Sequence, residues 1–379
     1  MTMSMEAVEK IADVVLYEGY LLYPYRRSAL KNQQRWTFGG VYPRRYSEES
    51  GGDDPWSMQT QCLVAGAAGR PASAATLEVK VRFLHVVDRR VAARATEPTE
   101  LSSADDVPPV GYRFVEELRV GGQVYRPWEE AMEREVVVGS VRLDDLILIA
   151  RGHSCAIDVP AGSAEESLRD PGGAVAGALV RAWKTLRGTV EIAAEPVATD
   201  AVAGGGAAAP GYRLTVRITN TTPWAWPRRE NDGRTRAAAL RHTFVSTHTI
   251  LRVRDGEFVS LLEPPMEYQE AVQGCANVKT WPVLVGDPGE RQMLLSSPII
   301  LYDYPQIASE TPGDLFETTE IDELLTLSIM TLTDEEKREM RESDVRGREI
   351  LERTEALTSE QLMKMHGAIR SLQPAREEE

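Results

Sequence analysis

Hydrophobic and polar residues alternate with a period of two over much of residues 77–301, the signature of half-buried strands. Leu77, Val79, Val81 and Phe83 alternate with Glu78, Lys80 and Arg82. Gly121-Gly122 separates two strand-like runs, and a two-residue turn there needs positive φ at both positions. Val136–Val138 and Leu146–Ile149 predict further strands. Residues 92–110 and 160–173, rich in Pro, Gly, Ser and acids, predict loops. A second β region opens with a strand at 189–194 and a low-complexity loop, VATDAVAGGGAAAPG. Leu214, Val216 and Ile218 then alternate with Arg213, Thr215 and Arg217. HTFVSTHTILRVRDGEFVSLLEPP reads as a hairpin turning at Asp255-Gly256, and residues 284–285 and 293–301 supply the last strands.

Helical spacing replaces the alternation at both ends. Residues 5–16, MEAVEKIADVVL, predict a short amphipathic helix. Capping-box patterns at Thr319–Asp322, Thr333–Glu336 and Thr358–Gln361 predict three terminal helices. The expected fold is mainly β: two antiparallel sandwich-like units with a short N-terminal helix and a C-terminal helical tail. Four regions follow: 1–46, a helix and an aromatic-basic segment; 47–184, a first β-rich domain; 185–310, a second; and 311–379, the tail.

A chain of 379 residues exceeds what one simple core of about 250–300 residues usually organises. The net charge of −15 favours solubility and makes nucleic acid an unlikely partner. Residues 310–379 carry 19 acids against 9 bases, which sets the tail apart in charge as well as pattern. Cys62, Cys155 and Cys275 form no CxxC, so neither a disulfide framework nor a zinc site of the usual spacing is expected. With no signal-like leader and no run near the ~18 apolar residues that cross a bilayer, the expectation is a cytoplasmic protein with no membrane span.

The basic exception is Tyr17–Tyr46, YEGYLLYPYRRSALKNQQRWTFGGVYPRRY. It interleaves six tyrosines with Arg26, Arg27, Lys31, Arg35, Arg44 and Arg45, and no acid stands between Glu18 and Glu48. Such a segment suits a docking surface, with Tyr20, Tyr23, Arg26, Arg27, Arg35 and Trp36 as interaction candidates; it also suits an aromatic mini-core with basic edges. TPWAWPRR, around Trp224 and Trp226, has the same character.

Catalytic motifs are weaker. A two-residue turn at Asp255-Gly256 places His248 opposite Glu263, with His242 six residues earlier on the same face. That polar set suits a structural pair, an oriented base or a metal second shell. A spacing of six residues spans about 20 Å of strand, too far for one metal to hold both histidines. Gly152-His153-Ser154-Cys155-Ala156 has only part of a nucleophile-elbow pattern, because strand-like residues and Pro160 follow it. No phosphate-cradling glycine motif is present, and no cofactor, metal ligand set or catalytic residue is assigned.

The phrases YEGYLLYPYRRSALKNQQRW, MQTQCLV, LRHTFVSTHTILRV with FVSLLEPP, and PGDLFETTEIDELLTL together resemble an uncharacterised family of actinobacterial-type proteins. Its members are encoded beside nickel-iron hydrogenase subunits and their maturation factors. The resemblance spans nearly the whole chain and implies a non-catalytic accessory role in hydrogenase assembly, with hydrogenase subunits as possible protein partners. It carries over no catalytic residue. The chain lacks a CxxC beside a histidine, so the resemblance does not extend to metal insertion.

Overall fold

The computed structural model describes residues 5–17, 36, 38–67, 69–95, 108–148, 152–198, 211–226, 235–305, 329–343 and 345–356. The alternating segments become fifteen strands among the described residues. One antiparallel sheet runs β13 (Gly256–Val259), β1 (Ser57–Gly66), β11 (Gly211–Asn220), β10 (Leu186–Val197), β7 (His153–Val159). The other runs β14 (Trp281–Leu284), β15 (Met293–Ser297), β12 (Val245–Arg254), β2 (Thr76–Arg94), β9 (Val175–Trp183), β8 (Gly162–Arg169). Both β3 (Tyr112–Val115) and β6 (Trp128–Arg142) pair with β2. A two-stranded ribbon joins β4 (Leu118–Val120) to β5 (Gln123–Tyr125), and its turn is Gly121-Gly122 at φ of 59° and 84°, as the sequence predicts.

One core lies between the two sheets. Met58, Val64, Val190 and Val216 of the first meet Leu77, Val81, Leu251 and Leu294 of the second in a single buried cluster. Burying each such side chain is worth roughly 1.5–3 kcal/mol. Phe83 and Phe244 meet within it at 4.7 Å between ring centroids. Helix α1 (Met5–Tyr17) lays Val8, Ile11, Ala12 and Val15 on Ile250, Val283 and Leu295 of the second sheet. Glu9 pairs with Lys80 at 2.7 Å and Asp13 with Arg82 at 2.7 Å, one helical turn apart.

The chain divides into two compact units. Met1–Tyr20 with Trp36–Pro305 hold both sheets; Leu21–Arg35 with Gln306–Glu379 form the other. In the latter, α6 (Asp334–Ser343) and α7 (Val345–Glu355) bury Met340, Ile350 and Leu351. The capping box at the start of α6 is complete: the Glu336 amide donates to Thr333 Oγ1 at 3.2 Å, and the Thr333 amide to Glu336 Oε2 at 2.8 Å. The other two capping-box patterns lie outside the described residues. No described helix is long and apolar enough to cross a membrane.

Four sequence expectations need correction. Residues 47–184 and 185–310 are not two β domains, because each sheet draws strands from both: β1 pairs with β11, and β2 with β12. Alternation reports which residues face inward but not which strand lies alongside. The expected strand at 146–149 is instead helix α3 (Leu143–Leu148), with Leu143 and Leu146 buried one turn apart and Asp144 and Asp145 in its first turn. Residue 149 itself lies outside the described residues. The loop expected at 160–173 contains β8, a mostly exposed edge strand whose polar residues hide the pattern. Finally, Asp255-Gly256 is not a hairpin turn. β12 belongs to the second sheet, whereas β13 pairs with β1 in the first. Asp255 turns the corner at φ 59°, and a Cβ on Gly256 would lie 2.9 Å from that of Ala75.

Candidate interaction surface

Residues 38–41 run antiparallel to 244–247. Val41 and Phe244 exchange backbone hydrogen bonds of 2.8 and 3.1 Å, and the Thr247 amide donates to the Gly39 carbonyl at 2.9 Å. β12 bulges here, its register against β2 shifting between Val245 and His248. Ser246 sits in the bulge at φ 51°, a conformation that favours glycine. Its amide donates to the Phe38 carbonyl at 3.1 Å, and its hydroxyl to the Val15 carbonyl at 3.1 Å. One residue thus ties the last turn of α1 to residues 38–41. Both stems of the aromatic-basic segment are fixed at this point.

Tyr20, Tyr23, Arg26, Arg27 and Arg35 lie outside the described residues. Trp36 is described and is buried, at φ 65°, so its side chain belongs to the base and not to an exposed rim.

The end of the segment meets the second aromatic-basic motif. Helix α2 (Arg44–Ser50) presents Tyr46 to Trp224 at 5.7 Å, edge to face, and to Trp226 at 5.7 Å; Tyr42 stacks on Tyr46 at 5.4 Å. Burial, then the charge of Asp54, raises the Tyr46 hydroxyl above the ordinary tyrosine value; Tyr42 is raised chiefly by burial. Arg236 lies over the Tyr42 ring at 5.5 Å and donates to its hydroxyl, and Trp226 donates to Glu49. Arg44 lies 4.5 Å above the Trp56 ring. The Arg44 and Arg45 side chains are 60% and 58% exposed, each paired with a glutamate four residues on, at 2.7 and 2.8 Å. The absence of acids between Glu18 and Glu48 is therefore a feature of the linear chain: in space Glu48 and Glu49 pair with its last two arginines, and Asp54 accepts from Tyr46 at 3.2 Å.

The polar-pair candidates separate. His248 faces Arg82 across β12 and β2, not Glu263. It is fully buried, with Nδ1 against the Ser246 carbonyl at 3.1 Å, and burial holds its pKa down at about 3. Glu263 lies in the loop after β13, its amide accepted by Ser260 Oγ at 2.8 Å. His242 lies in the turn after α4 (Thr235–Leu240) and not on β12. His153 and Cys155 lie on β7, opposite Ile192 and Val190, with no helix following.

Sequence reasoning missed Ser246, because a bulge leaves no trace in alternation. Asn220 was not singled out either. Fully buried, Asn220 donates to the Val41 and His242 carbonyls at 2.8 Å each and accepts from the Thr222 amide at 2.9 Å, and so joins the two motifs. An isolated Asn closing a strand was the available signal. No protein-family model matches the chain, and no curated protein matches it.

Proposed function

We propose that this chain is a cytoplasmic, non-catalytic accessory protein that docks a protein partner through the aromatic-arginine segment of residues 19–46, in the service of nickel-iron hydrogenase assembly. The observation that supports the docking reading is that the residues flanking the segment are held by one residue: Ser246 donates its hydroxyl to the Val15 carbonyl and its amide to the Phe38 carbonyl. Tyrosine, tryptophan and arginine are the residues that interfaces enrich, and Arg44, Arg45, Trp56 and Trp226 add to that composition beside the base. The hydrogenase partner rests on the family resemblance alone. The reading as an enzyme or metal-binding protein at His248 and Glu263 loses its ground, because those residues do not face each other.

Co-purification from the native host tests the proposal. Arg26→Glu with Arg27→Glu should abolish capture of hydrogenase subunits and leave the melting temperature unchanged. Unchanged capture with a fall of several degrees would mean that the arginines serve only the fold of this chain.

A further inference from the structure

The inward-facing series of β2 runs from Val81 and Phe83 to His85, which is fully buried. Neither His85 ring nitrogen closes a hydrogen bond of good geometry, although the Lys184 backbone approaches the ring. Arg134 is the register partner of Phe83 on β6, so it shares that face and lies diagonally across from His85. Its guanidinium lies 5.9 Å from the Trp183 ring centroid, its buried Nε has no acceptor, and it forms no ion pair among the described residues. His242 approaches from the turn after α4, edge-on to Trp224 at 5.7 Å. Its Nδ1 and the Trp224 indole nitrogen likewise close no hydrogen bond of good geometry, although the Thr185 backbone approaches the His242 ring.

The charges that shift the two imidazoles belong to Arg134, His242, Lys184 and Arg241. His85 is held near about 3 by burial, then by the Arg134 charge, with His242 adding to the effect. His242 is lowered by burial, then by Lys184 and Arg241. Burial alone lowers Arg134. The nearby carboxylates are committed elsewhere: Asp88 and Glu129 hold Arg241 at 2.6 and 3.3 Å, and Glu133 holds Arg82 at 3.2 Å. In a chain of net charge −15 this is an unusual gathering of donors.

We propose that Arg134, His85, His242 and the Trp224 indole N–H bind a small oxyanion of phosphate or sulfate type at this end of the sandwich interior. Arginine supplies a charged donor, each imidazole can turn an N–H toward the ligand, and the indole offers a donor that needs an acceptor. An oxyanion accepts from all four and neutralises the unpaired guanidinium. This site is independent of the partner-docking surface proposed above.

The test is a melting series of the full chain in sodium phosphate, sodium sulfate and sodium chloride at matched ionic strength. Phosphate and sulfate should raise the melting temperature saturably, as ligands that bind only the folded state do, and chloride should not. Arg134→Gln should abolish that response while leaving the melting temperature in chloride unchanged or higher, since no ion pair is lost. If that variant fails to fold, Arg134→Lys keeps the charge and should weaken sulfate binding about tenfold by equilibrium dialysis. Equal responses of wild type and variant would show an adventitious ion only, and no saturation by about 20 mM would overturn the assignment.

Discussion

Ser246 donates its hydroxyl to the carbonyl of Val15, in the last turn of α1, from a bulge where its own backbone occupies the left-handed region. Natural chains usually place glycine at such a position. Serine keeps the side-chain donor that glycine would lack, at a conformational cost on the order of 1 kcal/mol.

Ser246→Ala should therefore destabilise the protein by about 1 kcal/mol, because the Val15 carbonyl loses its donor while the strained backbone remains. Urea midpoints at constant slope measure this. Ser246→Gly should recover part of the loss by relieving the backbone. A glycine variant less stable than the alanine variant would mean that φ at this position carries no strain.

Burial holds His248 near about 3, far below the ordinary value of about 6.5 that the unfolded chain keeps. The unfolded state binds the extra proton, so the stabilisation is complete above pH 6.5 and is lost as pH falls from there toward 3. Inside that window His248 should contribute a slope of about 1.4 kcal/mol per pH unit. His248→Gln, whose amide can still donate to the Ser246 carbonyl, should reduce the slope between pH 6.5 and 5 in chloride buffer, with His85 and His242 keeping the remainder. Identical slopes for variant and wild type would show that His248 does not titrate with unfolding.

Gly256→Ala should cost about 1–3 kcal/mol, because the added methyl meets Ala75 and the carbonyl of Ala65 at 2.9 and 3.2 Å. A denaturation midpoint within experimental error of wild type would mean that the corner between β12 and β13 is looser than its contacts imply.

Ending the chain near Pro312 should leave a cooperatively folding β protein. Every strand of both sheets is complete by Ser297, and the shared core draws on residues 41–294. Near-UV circular dichroism of the truncated chain should keep its fixed aromatic signal. A flat spectrum would make residues 313–379 necessary to the core.

Local physics was legible in the sequence, and partnership was not. The Gly121-Gly122 turn, α1 and the Thr333 capping box each depend on neighbouring residues, and each stands where its pattern places it. The Asp255-Gly256 reading failed because Asp-Gly specifies a reversal without naming the strand that receives it; contacts with Ala75 and Ala65 carry β13 into the other sheet. Of the candidate site, both aromatic-basic motifs were visible as composition. Their meeting through Asn220, and the Ser246 tie beneath them, depend on pairings between residues about 180–230 positions apart.

The way strands are shared between the sheets sets an order for synthesis. β1, SMQTQCLVAG, is flanked by β11 on one side and β13 on the other, so both its edges stay bare until residues 211–259 have been made. A nascent chain emerging from the ribosome at about 5–20 residues per second holds that strand unpaired for many seconds. Fragments that stop short of β11 would keep two open strand edges beside an apolar face, the combination that seeds aggregation. In the first half β2 can already pair with β3, β6 and β9, so it is β1 whose protection during synthesis depends on how soon the second half arrives.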